Sequence, residues 1–183
     1  MALRSRLISL ARKLLRGDPL RTLQARGLVV GQNFFLQDDC VIDAWHCALI
    51  RIGDDVTLGP RVMILAHDAS TKRALGYVRI AQVEIGDRVF IGAGSIVLPG
   101  VSIGSDVIIG AGSVVTQDIP AGSVAAGNPA RVLGSTADYI ERKRVEMDNS
   151  AQFGEEFTLR AGADAARLAQ MKEALKNGVA YIV

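Results

Sequence analysis

Two histidines, His46 and His67, are the side chains of this chain best suited to moving protons at neutral pH, since free imidazole titrates near 6.5. His67 has a carboxylate directly after it, Asp68. A base also needs its second ring nitrogen held by a partner. Asp68 is adjacent to His67, but consecutive side chains of an extended segment point apart, so a turn-forming aspartate is an equal reading. For His67 the plain alternative is a solvated loop histidine. His46 lies beside a break in the sequence pattern described next, and packing is preferred to catalysis there. Cys40 and Cys47 make no framework of the secreted type, which fits a reducing cytoplasm.

These residues hang on a stretch that repeats every six positions. From Ile85 it reads IGDRVF, IGAGSI, VLPGVS, IGSDVI, IGAGSV and VTQDIP. An aliphatic residue opens each hexad, and the fifth residue is small or β-branched: Val89, Ser95, Val101, Val107, Ser113 and Ile119. A period of six drifts against the 3.6 of a helix, and the glycines and β-branched residues disfavour one. Short extended pieces separated by turns at a fixed interval predict a stacked solenoid. Three hexads close one coil, coils stack about 4.8 Å apart, and first and fifth residues fill a narrow core. Cys40 falls on a fifth position, so core packing is preferred to a reactive thiol.

Degenerate hexads begin at Val30, and four residues break the register before Ile52. The repeat is lost again between about His67 and Val83, a polar excursion of the kind that carries binding groups. Residues 1–17 space Leu3, Leu7, Leu10 and Leu14 as one helical stripe, with Arg4, Arg6, Arg12, Lys13 and Arg16 and no acid. That amphipathic helix either covers an open end of the solenoid or contacts a membrane surface or partner. Beyond Gly134 the repeat is absent. Thr136–Met147 and Ala163–Lys176 read as helices, the segment between them as a loop, and VAYIV as a short added strand. Three parts follow: residues 1–20, 21–134 and 135–183.

Composition agrees with a thin prism: 49% hydrophobic residues but only 5% aromatic. A net charge of +2 does not argue for nucleic acid. No apolar run reaches the ~18 residues of a membrane span, and Arg12 and Lys13 interrupt any secretory leader.

With AHDAS at 66–70, the hexads, and the closing GNPAR at 127–131, the chain resembles the hexapeptide-repeat family of left-handed parallel β-helices. Within it, the likeness is to the sugar, galactoside and maltose O-acetyltransferase branch. The left hand is implied by the resemblance alone, since parallel crossovers are otherwise right-handed in about 98% of cases. The resemblance implies His67 as general base and acetyl-CoA as acyl donor. It aligns Asp43 loosely with an acidic residue that contacts the acceptor. It also implies a backbone N–H of Ala93 near the thioester carbonyl, Ala111 and Thr116 along the pantetheine arm, and Arg131 on the phosphates. Corner geometry alone accounts equally for Ala93 and Ala111. Gln37 departs from an asparagine of the galactoside enzymes, and Gln117 and Phe90 from a lysine and a tryptophan common in the family.

The expected function is acetyl transfer to a saccharide hydroxyl, in surface-polysaccharide or related metabolism. The alternatives are N-acetylation of an amino-sugar or other small amine, and a non-catalytic trimeric scaffold. No metal is expected, because the carbonic-anhydrase branch needs three histidines and this chain has two. The resemblance implies a homotrimer in the cytoplasm, with the CoA groove between subunits. Peripheral membrane contact through residues 1–17 remains one of the two readings of that helix.

Overall fold

A computed structural model describes residues 19–183, and the helix expected over residues 1–17 lies outside them. The described chain divides into a unit ending at Thr136 and one running from Ala137 to Val183.

The first unit is built on three walls of parallel two- to five-residue strands, visited in strict rotation. The first wall holds Val29–Val30, Ile50–Ile52, Val83–Ile85 and Ser102–Ile103. The second holds Phe35–Leu36, Thr57–Leu58, Phe90–Ile91, Ile108–Ile109 and Ser123–Gly127; the third holds Val41–Ile42, Met63–Ile64, Ile96–Val97 and Val114–Val115. Ile91 pairs with Ile109 and Val97 with Val115, each eighteen residues on, so one coil is three hexads. A helix at Pro19–Ala25, which the hexads do not announce, packs Leu20 and Leu23 against the core. Ala130–Ser135 returns antiparallel along Ser123–Gly127 after a cis Asn128–Pro129 bond.

The inward positions are those the hexads specify. Ile85, Val89, Ile91, Val97, Val101, Ile103, Val107, Ile109, Val115 and Ile119 are all buried. Ser95 and Ser113 are buried too, and both hydroxyls donate to the Gly110 carbonyl at 3.0 and 2.5 Å, so neither polar group is stranded. Stacked corners demand glycine where backbones nearly touch. A Cβ on Gly92 would lie 2.5 Å from the Ala111 nitrogen, and Gly94 turns the same corner at φ 69°. Cys47 is buried, and the half-buried Cys40 donates its thiol to the Gly59 carbonyl at 3.0 Å.

The helix Thr136–Asp148 leads into the second unit, which also contains a helix at Ala165–Ala174 capped by Asp164 accepting from the Arg167 N–H. Between them, the segment read as a loop contributes a strand, Ala151–Phe153, which pairs in parallel with Ala180–Ile182. Tyr181 donates to Glu146, which also meets Lys143. Among the described residues, no helix is long and apolar enough to cross a membrane.

Candidate active site

The hexad rhythm is broken twice, both times at the corner after the third wall. Ile42 pairs with Ile64, 22 residues on, because four extra residues near a short 3-10 turn at Cys47–Leu49 leave the coil there. Ile64 pairs with Val97, 33 residues on, because the excursion leaves after Leu65, at the same corner of the next coil. The excursion is folded: His67–Asp68 pairs antiparallel with Arg79–Ile80, and Lys72–Leu75 forms a helical turn closed by Gly76 at φ 76°. Two insertions stacked on one corner bring Asp43, His46 and His67 together.

Asp43 is 3% exposed. One carboxylate oxygen accepts from the backbone N–H groups of Trp45 and His46, both at 3.1 Å. The other accepts from the Ala66 N–H at 3.0 Å and makes a short contact with Nδ1 of His67. Burial would raise the Asp43 pKa, but the hydrogen bonds from His67, Ala66, His46 and Trp45 outweigh it and hold the carboxyl below its ordinary range. An ionised carboxylate accepts only, so the proton between the two groups belongs to His67 Nδ1. His67 is one-third exposed and lines a cavity of about 410 Å³ with Leu65, Asp68, Arg79, Leu98 and Thr116.

Asp68 does not hold the imidazole. Its carboxylate accepts from the Ser70 N–H at 2.8 Å, as a turn-forming aspartate does, and that bond keeps its pKa low. His46 is not simply packed. Its ring lies 4.9 Å from that of His67, tilted by 44°, and is one-third exposed.

The residues expected around the donor divide between two corners. Thr116 shares the His67 corner. Ala93 and Ala111 stack one coil apart at the corner between the second and third walls, and Arg131 is paired with Ala126, the next layer of that stack. The Arg131 guanidinium donates to the Ala130 carbonyl at 2.9 Å. The strand Ile96–Val97 separates Ala93, at one end of the third wall, from Leu98 at the other. A larger concavity of about 590 Å³ lies on the first wall, among Arg51, Glu84, Ser102 and Asp118, and offers no histidine.

Residues 82–117 match the family described as bacterial transferase hexapeptide (six repeats). Protein CapG of Staphylococcus aureus is 37% identical over 137 residues, which cover 72% of this chain and 78% of CapG. The chain belongs to the hexapeptide-repeat acetyltransferase family. Nodulation protein L of Rhizobium leguminosarum bv. viciae is 50% identical over 107 residues, 56% of this chain and 55% of that protein. A solved structure of a galactoside acetyltransferase in complex with coenzyme A matches with a TM-score of 0.56 and 28% identity, over 75% of this chain and 82% of that one. The chain spans little more than half the length of several curated relatives it matches.

Two residues of this hexapeptide-repeat chain stand at the corner without having been singled out from sequence. Trp45, the chain's one tryptophan, is 88% exposed beside Asp43. An exposed tryptophan next to a buried carboxylate is an unusual use of a large apolar side chain, and the single Trp was the available signal. Arg79 lines the His67 cavity and donates to the Pro99 carbonyl at 3.3 Å. Only the return strand of the excursion puts it there, so the sequence held no marker for it.

Proposed function

We propose that the chain transfers an acetyl group from acetyl-CoA to a saccharide hydroxyl, with His67 as general base and Asp43 as the group that orients it. The observation that carries this reading is the buried Asp43 carboxylate, fixed by three backbone N–H groups and aimed at Nδ1 of His67. An alcohol attacks a thioester poorly unless its proton departs as the bond forms. His67 Nε2 takes that proton while the oxygen bonds to the carbonyl carbon, giving a tetrahedral oxyanion. Collapse breaks the C–S bond, and the departing CoA thiolate recovers the proton from the imidazolium. Asp43 stays ionised throughout and stabilises the imidazolium. A galactoside, the substrate of one structural relative by its name, offers hydroxyls and no amine, which favours O-acetylation. Trp45 gives a pyranose ring an exposed aromatic face beside the base.

In this reading the pantetheine arm runs along a glycine-rich corner, with the Ala93 N–H as oxyanion donor, Ala111 beside it and Arg131 on the phosphates. That corner is at the far end of the third wall from His67, so a neighbouring copy supplies it and the active form is a threefold homotrimer. Outward side chains support assembly. The second wall turns outward the ladder Phe35, Thr57, Phe90, Ile108 and Val124, and the third Val41, Met63, Ile96 and Val114, with Phe35, Phe90 and Val41 exposed and the rest half-buried. The first wall instead turns out Arg51, Glu84 and Ser102. We read the coil as left-handed, the hand the family resemblance implies. Two free thiols fit a cytoplasmic setting, and the leucine stripe and five cations of residues 1–17 fit peripheral contact with an anionic surface.

The test is thiol release from acetyl-CoA with free sugars, nucleotide sugars and small amines as acceptors. Release that depends on a saccharide hydroxyl is expected. Release with amines alone would overturn the O-acetylation reading.

A further inference from the structure

The Asp43 corner holds one polar atom that acetyl transfer does not use. Nδ1 of His46 is buried and has no hydrogen-bond partner. It sits 3.8 Å from an Asp43 oxygen, beyond hydrogen-bond reach, and a carboxylate has no proton to offer across that gap. The Asp43 carboxylate, His46 and His67 present one donor atom each, all within 4.8 Å of one another. We propose that these three residues form a site for a divalent transition-metal ion of the zinc class, and that its binding switches off the base.

The donor set is chemically apt. Two imidazoles and one carboxylate with an open fourth position is a recurrent zinc arrangement, with water as the fourth ligand. Imidazole donors select zinc, cobalt, nickel and copper over magnesium and calcium, which prefer all-oxygen shells. Bonds of about 2.0–2.1 Å put tetrahedral donors roughly 3.3 Å apart, so His46 must close slightly and His67 must back away from Asp43. Both imidazoles are about one-third exposed, 33% and 32% for the side chains, which gives them room to move and an ion a way in. The carboxylate is already fixed from behind by the Trp45, His46 and Ala66 N–H groups, the outer support that metal-ligating carboxylates require. Counting histidines argued against a metal because the third ligand is a carboxylate 24 residues from His67, delivered by the neighbouring coil.

The consequence for the base is a matter of protons. An ion on Nδ1 of His67 displaces the proton shared with Asp43, and the neutral ring then carries its proton on Nε2. Nε2 loses the lone pair that would accept the acceptor's hydroxyl proton, and acetyl transfer stops until the ion leaves. This consequence rests on His67 being the base, whereas binding of the ion does not.

The full-length protein, stripped with chelator, is titrated with Co²⁺ and followed by its visible ligand-field absorption, then back-titrated with Zn²⁺. One equivalent of Co²⁺ is expected to give a tetrahedral-type band that Zn²⁺ abolishes. Altering outer-shell partners typically costs 10–100-fold in metal affinity, so His46→Ala, which removes a ligand outright, should weaken Co²⁺ binding by at least ~10-fold. His67→Ala removes a second ligand at another partly exposed position and should do the same. Zn²⁺ should also inhibit transfer by the wild type, with His46→Ala needing at least ~10-fold more ion for equal inhibition. Absence of the band, or Co²⁺ affinity unchanged from wild type in either variant, overturns the site. A His46-dependent band with transfer untouched by Zn²⁺ overturns the switch. Because the optical titration needs no acceptor, it stands apart from any failure of the acetyl-transfer reading.

Discussion

Asp43 and His67 lie 24 residues apart, yet the carboxylate of one meets Nδ1 of the other because both leave the coil at the same corner in successive turns. The carboxylate is buried, while the imidazole stays one-third exposed on a cavity of about 410 Å³. A fixed acceptor on one side of a ring and open space on the other is what proton transfer from an incoming hydroxyl requires.

Asp43→Asn keeps one side-chain oxygen, which can still accept from the Trp45 and His46 N–H groups, but turns an NH2 towards the Ala66 N–H and loses the negative charge that selects the His67 tautomer. Turnover should fall by at least ~10²-fold, the scale of a positioned general base. Asp43→Ala should instead lower the melting temperature, since the Trp45, His46 and Ala66 N–H groups lose their acceptor at about 1–3 kcal/mol for each one left unsatisfied. Thermal melts beside initial rates separate the two effects, and an active, cool-melting Asp43→Asn protein would contradict the orienting role.

Much of this was legible in the chain, and the part that was not has a physical reason. The hexads specify the inward positions because a six-residue period repeats the same corner geometry every coil, and the four-residue break and the excursion were both visible as lost register. What register cannot say is which side chains meet across coils. Asp68, next to His67 in sequence, turns to Ser70, while Asp43, remote in sequence, is the partner. The strand at Ala151–Phe153 was invisible for a similar reason. Its partner, Ala180–Ile182, comes a helix later, and three residues carry no readable alternation.

Arg131→Ala should weaken CoA binding without lowering the melting temperature. The guanidinium rests on the Ala130 carbonyl at the edge of the glycine-rich corner and fills no core position. Calorimetry with CoA and dephospho-CoA reads the contact. A larger loss for CoA marks the 3′-phosphate, and no loss for either ligand would remove Arg131 from the site.

Phe90 is 45% exposed in the middle of the second wall's outer ladder, between Thr57 and Ile108. Phe90→Glu should shift light scattering from trimer towards monomer and remove acetyl transfer, with the far-UV circular dichroism unchanged because the side chain points away from the core. A wild-type protein that scatters as a monomer at micromolar concentration and is fully active would contradict assembly across this surface.

The central claim is that His67 accepts the hydroxyl proton, and steady-state acetyl transfer by His67→Ala tests it most directly. The expected result is a kcat lower by ~10²–10⁴-fold with acetyl-CoA affinity little changed, since the imidazole meets the acceptor and not the nucleotide. A His67→Ala enzyme that keeps its turnover within a few-fold of wild type would contradict it.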